Sequence, residues 1–425
     1  MNSSTMPQKN SLASARSKNP GGFYQRVVLQ TLAPMTRGGL RVELPDGTVQ
    51  QFGDAAAAIT ARLRINDWGF FQRCVLFGDV GFGEAYVDGD WDTDDITQVI
   101  AWFILNVENA PAMSGARAKK WLVNLLGWQN RLGHWLRPNS LATSRRNISE
   151  HYDLGNDFYR LFLDPTMTYS AALFTSSAQT LEEAQIAKYD RLCRQLRLQP
   201  GEHVLEIGSG WGGFSRHAVK NYGVRITTVT ISVEQFQYAR ELFHREGLSD
   251  RAEVKLLDYR LLTGRFDKIV SIEMLEAVGD KYLKTYFAKC HELLAPHGLL
   301  ALQMITCPDT RHAALRKNVD WIQKHIFPGS LLLSIHRVNE ALRQTGDLFL
   351  YDLQDLGLSY AETLKRWRAH FNQNEAAVRA LKFDTRFLRK WNYYLSYCEA
   401  AFAMRNISVV QAVYTRPNNP TLQQP

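Results

Sequence analysis

Hydrophobic and polar positions along this chain change period several times, and the changes divide it into elements. Residues 39–53, GLRVELPDGTVQQFG, alternate apolar and polar across a Pro-Asp-Gly turn and predict a β-hairpin. AAAAITARL at 55–63 predicts a helix, and the apolar run from Trp68 to Phe77 a strand. Glycines, acids and aromatics mingle at 78–95, GDVGFGEAYVDGDWDTDD, which predicts a structured loop opening a short helix. Between 116 and 146, Trp121, Leu122, Leu125, Leu126, Trp128, Leu132, Trp135 and Leu136 recur at roughly helical spacing and end at Pro138. TLEEAQIAKYDRLCRQL then carries a helical pattern behind Thr180, with Glu183 completing a capping box.

From residue 203 strands and helices alternate. VLEI, VRITTVTIS, AEVKLLD, FDKIVSIEM and GLLALQMITC read as strands, and FSRHAVKNYG, VEQFQYARELFHREG and KYLKTYFAKCHELL as helices. Such alternation predicts an α/β domain, an open and mostly parallel sheet with helices on both faces. Asp309 to Tyr414 reads as helical and rich in aromatics and arginine. The resulting layout is a disordered tail at 1–22, a smaller α+β N-terminal domain at 23–136, a linker at 137–146, a large domain at 147–414 and a polar tail at 415–425.

Charge changes this picture in one respect. The net charge of +8 suits an acidic partner, either nucleic acid or an anionic membrane surface, and equally a solvated positive face with no partner. No RNA-binding motif is recognisable. The 116–146 stretch instead combines its apolar stripe with Arg117, Lys119, Lys120, Arg131, Arg137, Arg145 and Arg146 and no acid. That combination suits an interfacial helix on anionic lipid, or equally a helix packed between domains. No apolar run is long enough to span a bilayer, so membrane contact is expected to be peripheral. The N-terminus is polar and unlike a secretory signal, and the five cysteines are scattered without metal or disulfide spacing, which fits the cytoplasm. The acids Glu84, Asp88, Asp90, Asp92, Asp94 and Asp95 lack calcium-loop spacing and are assigned to caps and turns.

The candidate chemistry centres on Val204–Gly213, VLEIGSGWGG, a strand running into a glycine turn and a helix. A dinucleotide would also want an acid at the end of the second strand, where Thr230 stands instead. The only well-placed acid on the first strand is Glu206, before the glycines. An acid in that place resembles the first motif of S-adenosylmethionine-dependent methyltransferases.

Further strings extend the likeness: EHYDLGNDFYRLFLDPTMTYS within 147–174, TISVEQ at 230–235, DYR at 258–260, FDKIVSIEMLEAVG at 266–279 and YLSYCEAAF at 394–402. Together they resemble the cyclopropane-fatty-acyl-phospholipid synthase family, which includes the mycolic acid cyclopropane synthases. GDVGFGEAYVDGDWD looks like the N-terminal domain of its longer, phospholipid-acting members. The resemblance implies a class I methyltransferase fold, with a seven-stranded Rossmann-like sheet and a helical lid. It implies S-adenosylmethionine contacts from Tyr169 and Ser170 at the methionine end and from Val204, Leu205, Glu206, Ile207, Gly208, Ser209, Gly210, Trp211 and Gly212 beneath it. Thr230, Ile231, Ser232 and Gln235 would hold the ribose, and Asp258 and Tyr259 would flank the adenine.

The implied reaction methylates a cis double bond of a membrane phospholipid, leaves a carbocation, and closes a cyclopropane ring once a base removes a proton. Glu276, Tyr360 and the Ile305 backbone match the family's contacts to a bound bicarbonate base, and Cys398 its C-terminal cysteine. Three positions depart from the bacterial pattern: Ala171 for cysteine, Ala277 for histidine, and Gln303 for a histidine that helps hold bicarbonate. Deprotonation elsewhere would yield a methylene or methyl branch. The resemblance also allows a homodimer on the inner face of the membrane.

Overall fold

The computed structural model of the chain describes residues 22–107, 154–316 and 319–422. The basic stretch at 116–146 and the linker at 137–146 therefore lie outside the described residues. Gly39–Glu43 (β1) and Val49–Gly53 (β2) form the expected hairpin, paired antiparallel. Thr60–Ile65 (β3) lies parallel to β1, and Trp91–Asp92 (β4) completes a sheet of order β2-β1-β3-β4.

Two expectations are reversed in this region. The stretch read as a helix runs into β3, because Ala61, Leu63 and Ile65 are buried while Thr60, Arg62 and Arg64 face outward. That two-residue period outweighs the helix propensity of the alanines before it. The stretch read as a strand lies in a helix, Gly69–Asp88, which also absorbs most of the expected loop. It continues past Gly78, whose φ of 58° and ψ of −133° kink it. Gly83 is there for close approach: a Cβ on it would lie 2.5 Å from Trp321 Cδ1 and 2.8 Å from Tyr393 Cε1. The acids of this region go to ion pairs and one cap. Glu84 pairs with Lys324 and His325, Asp88 and Asp90 with Arg73, and Asp95 caps the helix Ile96–Leu105.

The larger sheet contains His203–Ile207 (β5), Arg225–Thr230 (β6), Ala252–Leu256 (β7), Phe266–Ile272 (β8), Leu294–Thr306 (β9), Phe349–Asp355 (β10) and Ser408–Thr415 (β11). Its order is β10-β11-β9-β8-β5-β6-β7. The run from β9 to β7 is parallel, and β11 and β10 add antiparallel at the edge. This is the class I methyltransferase sheet. The region read as wholly helical thus supplies two strands. SVVQAVYT is buried on both faces along nearly its whole length, so it carries no in-and-out alternation to distinguish it from a helix.

Separate apolar clusters cover the two faces of this sheet. A third, rich in aromatics, joins the N-terminal sheet and helices to the helices Gly357–Gln373 and Thr385–Ala403. Strand order reverses between β5 and β8, and open α/β sheets bind ligands at the carboxyl ends of the strands at such a point. Gly208 follows β5 there, and Glu273 follows β8.

Candidate active site

A cavity of about 370 Å³ opens at this switch point. The glycine turn forms its floor. Gly208, Gly210 and Gly212 have φ of 98°, 47° and 89°, a region that only glycine enters freely. The amides of Gly208 and Ser209 both donate to Val229 O at 3.0 Å, which ties the turn to β6. Space above Gly208 is limited, since a Cβ there would meet Met274 Cγ at 3.1 Å.

Most residues expected to touch the methyl donor line this cavity: Tyr169, Ser170, Glu206, Ile207, Gly208, Ser209, Gly210, Trp211, Thr230, Ile231, Gln235, Asp258 and Tyr259. Val204 and Leu205 lie beneath it, fully buried in the core on opposite faces of β5. Gly212 packs toward Phe243, and Ser232 caps the helix Val233–Arg245 by accepting from the Gln235 amide at 3.3 Å. Both sit outside the lining and hold the turns that form it. Thr230 Oγ1 donates to Gln235 Oε1 at 2.9 Å, and Arg260 clamps the Asp258 carboxylate through Nε at 2.9 Å and Nη2 at 2.6 Å. Trp211 donates its indole N–H to Asn156 at 2.7 Å.

Charge is buried around this floor. Ser215 donates to Glu206 at 2.5 Å, yet burial raises the Glu206 carboxyl to about 7. Lys188 donates to Ser170 Oγ at 2.7 Å, and burial lowers its ammonium to about 7 against the pull of Glu273, Asp164 and Glu206. Lys188 carries no distinguishing signal in the sequence, where a helical pattern presents it as one more surface lysine.

The opposite wall holds the expected reacting groups. Glu276, Tyr360, Cys398 and Ile305 line it together with Tyr394, Tyr397 and Phe402. Tyr169 and Tyr394 hydroxyls lie 2.8 Å apart, and Tyr360 packs on Phe402 with ring centroids 4.4 Å apart. Glu276 Oε1 accepts from the Ile305 amide at 2.5 Å, while its buried Oε2 has no hydrogen-bond partner. Burial and then repulsion from Glu273 push Glu276 up to about 8. Burial raises the Cys398 thiol well above its ordinary range, so it stays neutral.

Glu273 is the lining residue most consequentially missed. It directly follows β8 and opens EMLEAVG, and an acid at the carboxyl end of a central parallel strand was the available signal. Its Oε1 accepts from the Ala171 amide at 2.8 Å and from Gln303 Nε2 at 2.7 Å, and Tyr360 approaches the same carboxyl group closely enough to favour its charged form. Gln303, expected among the reacting groups, lies buried behind Glu273, outside the cavity lining. The groups implied as bicarbonate contacts are therefore engaged: those at Gln303 and Tyr360 meet Glu273, and the Ile305 amide meets Glu276. A further anion beside the Glu273 carboxylate, with those donors in use, does not fit this arrangement.

The methyl donor does fit. Glycines admit a ligand to the backbone, hydroxyls and an amide offer neutral hydrogen bonds, and the aromatic wall favours a nearby cation. The family model for mycolic acid cyclopropane synthetase matches residues 139–412. Tuberculostearic acid methyltransferase UfaA1 of Mycobacterium tuberculosis is 38% identical over 399 residues, covering 90% of this chain and 88% of that protein. Cyclopropane-fatty-acyl-phospholipid synthase of Escherichia coli K12 is 36% identical over 369 residues, covering 84% and 88%. The structure of mycolic acid cyclopropane synthase CmaA1 complexed with SAH and CTAB aligns with a TM-score of 0.60 at 33% identity, over 64% of this chain and 98% of that one. A glycine-floored cavity of this kind and matches across most of the chain lead to one conclusion: the protein belongs to the mycolic acid cyclopropane synthetase family, enzymes that use S-adenosylmethionine to transfer a methylene group to unsaturated chains.

Proposed function

We propose that this enzyme alkylates the cis double bond of acyl chains in membrane phospholipids and closes a cyclopropane ring. The single observation that carries the reading is a cavity with a glycine floor for the donor and an aromatic, carboxylate-bearing wall for the acyl chain. S-adenosylmethionine supplies an electrophilic methyl group when bound. An isolated alkene is a weak nucleophile, so the chain's own task is to hold it in line and exclude water. Methyl transfer would leave a carbocation in the acyl chain, beside the faces of Tyr360, Tyr394 and Phe402 and the buried carboxyls, which stabilise positive charge. Phospholipid as substrate is supported by the 36% identical relative, which is named for that reaction.

A second product has its own support. The 38% identical relative is named as a methyltransferase of tuberculostearic acid, and Gln303 and Ala171 depart from the bacterial pattern. The same cation could thus end as a methylene or methyl branch. Contact with the inner face of the membrane is supported by the net charge of +8 and the basic 116–146 stretch. Among the described residues no helix is long and apolar enough to cross a membrane. A homodimer belongs to this reading through the family likeness alone.

Incubation with S-adenosylmethionine and anionic oleoyl phospholipid vesicles tests the proposal. Mass spectrometry of the released fatty acids should show one added methylene unit that resists hydrogenation, with turnover falling as salt screens the surface. A hydrogenatable product would favour the branch. No mass gain across several unsaturated lipids would sink both.

A further inference from the structure

We infer that Glu273 is the general base of this enzyme, its carboxylate standing in the place that the family's pattern gives to bicarbonate. The inference rests on the proposed alkylation of an alkene. Its first support is the donor set: the Ala171 amide, Gln303 Nε2 and the Tyr360 side chain all meet one carboxyl group that lines the cavity. Donors arranged in this way stabilise an anion at a defined position. Behind them runs a chain of oriented amides. Gln303 Oε1 accepts from Gln411 Nε2 at 2.9 Å, and Gln411 Oε1 accepts from Arg191 Nη1 at 2.7 Å. Each amide presents its donor end toward Glu273, and a guanidinium sits at the far end. Gln303 is thus a positioning residue.

The backbone is the second, independent support. Glu273 adopts φ of 48°, a left-handed conformation that a glutamate takes only under constraint. Its amide donates to Gln303 O at 2.7 Å, so β9 holds the strained residue in place. Strain of this sort is retained where it aims a side chain at a site. The neighbouring acid divides the work. Burial raises both carboxyls, but Glu276 has a single amide donor and a partnerless oxygen, whereas several donors pull Glu273 back down. Two carboxyls in unlike surroundings take unlike roles.

In the deprotonation step a C–H bond of the transferred methyl group breaks, and the proton passes to a Glu273 oxygen. The released electron pair forms the third C–C bond of the ring. Where a hydride shift has first moved the charge to the methylated carbon, the pair instead forms the C=C of a methylene branch. Either way the acyl cation and the carboxylate both become neutral, and water must later take the proton from Glu273 to restore the enzyme.

Bicarbonate dependence and substitution together test this. Full-length enzyme sparged free of carbon dioxide is expected to keep its turnover, and added bicarbonate to change it little. Glu273→Gln should lower turnover by ~100-fold or more while affinity for S-adenosylhomocysteine, measured by calorimetry, stays near that of the parent. Glu273→Gly vacates the donor set, so it should bind carbon-13 bicarbonate by NMR and regain turnover when bicarbonate is added. The parent should show no such binding. Saturable bicarbonate binding by the parent, collapse of its turnover on sparging, or full activity in Glu273→Gln would each overturn the inference. If the parent alkylates no lipid, the proposed function fails separately, and the NMR comparison still decides whether Glu273 occupies the bicarbonate position.

Discussion

Glu276 carries a carboxyl that the folded protein raises from 4.5 to about 8, first through burial and then through repulsion from Glu273. Between those values the folded chain holds a proton that the unfolded chain has released. Stability must therefore fall as pH rises through that window. Glu276→Gln cannot ionise and removes this contribution. Relative to that variant, the parent should lose stability between about pH 5 and about pH 8, by at most ~1.4 kcal/mol per pH unit at this one site, read as a falling melting temperature. A difference that stays constant with pH would contradict the assignment. Gly208 makes a different demand at the same scale. Gly208→Ala places a Cβ against Met274 at a φ of 98°, so it should weaken S-adenosylmethionine binding by ~1–3 kcal/mol, read by calorimetry. Both the glycines and Glu276 could be read from sequence through their motifs. Lys188 could not, because helical spacing does not reveal which face of a helix meets a site. Glu273 was overlooked beside Glu276, since its role comes from donors on three other segments.

Elements were most legible where their pattern was local. The Pro-Asp-Gly hairpin, the Thr180 capping box and the alternating strands and helices around the glycine turn all appear as expected. Errors cluster where a segment is buried on several sides. The helix Gly69–Asp88 packs against the helices Trp321–His325 and Thr385–Ala403 and has apolar residues all round, so its period is masked. Gly83 permits that packing. Gly83→Val should lower stability by ~1–3 kcal/mol through overpacking against Trp321 and Tyr393. Thermal melting of variant and parent checks this, and an unchanged midpoint would mean that the helices approach less closely than described.

Across the whole molecule, the N-terminal elements and the C-terminal helices share one aromatic core. Arg389, on the helix Thr385–Ala403, fastens them. It donates to Tyr86 O at 2.7 Å and Trp91 O at 2.9 Å, pairs with Asp92 at 3.2 Å, and lies 4.0 Å from the centroid of the Tyr86 ring. Because the same helix carries Tyr394, Tyr397 and Cys398 into the cavity wall, the N-terminal elements buttress the site without lining it. Arg389→Ala should cost about 3 kcal/mol as several partly buried acceptors lose their donor. Calorimetry should show the described parts melting in one transition in the parent. Two separate transitions in the parent would show that the shared core does not couple them.

Sequence alone was enough for the class of fold, the methyl donor and the floor beneath it, since a glycine turn with an acid before it is a contiguous pattern with a local physical cause. It also named Glu276, Tyr360 and Cys398 through motif matches. Folding was needed to assign the partners of each group. Ala171, Gln303 and Tyr360 lie far apart along the chain, and only the sheet order and the packed helices bring them to one carboxylate. Which atoms a buried anion may accept from is a property of that assembled environment, and no single stretch of sequence contains it.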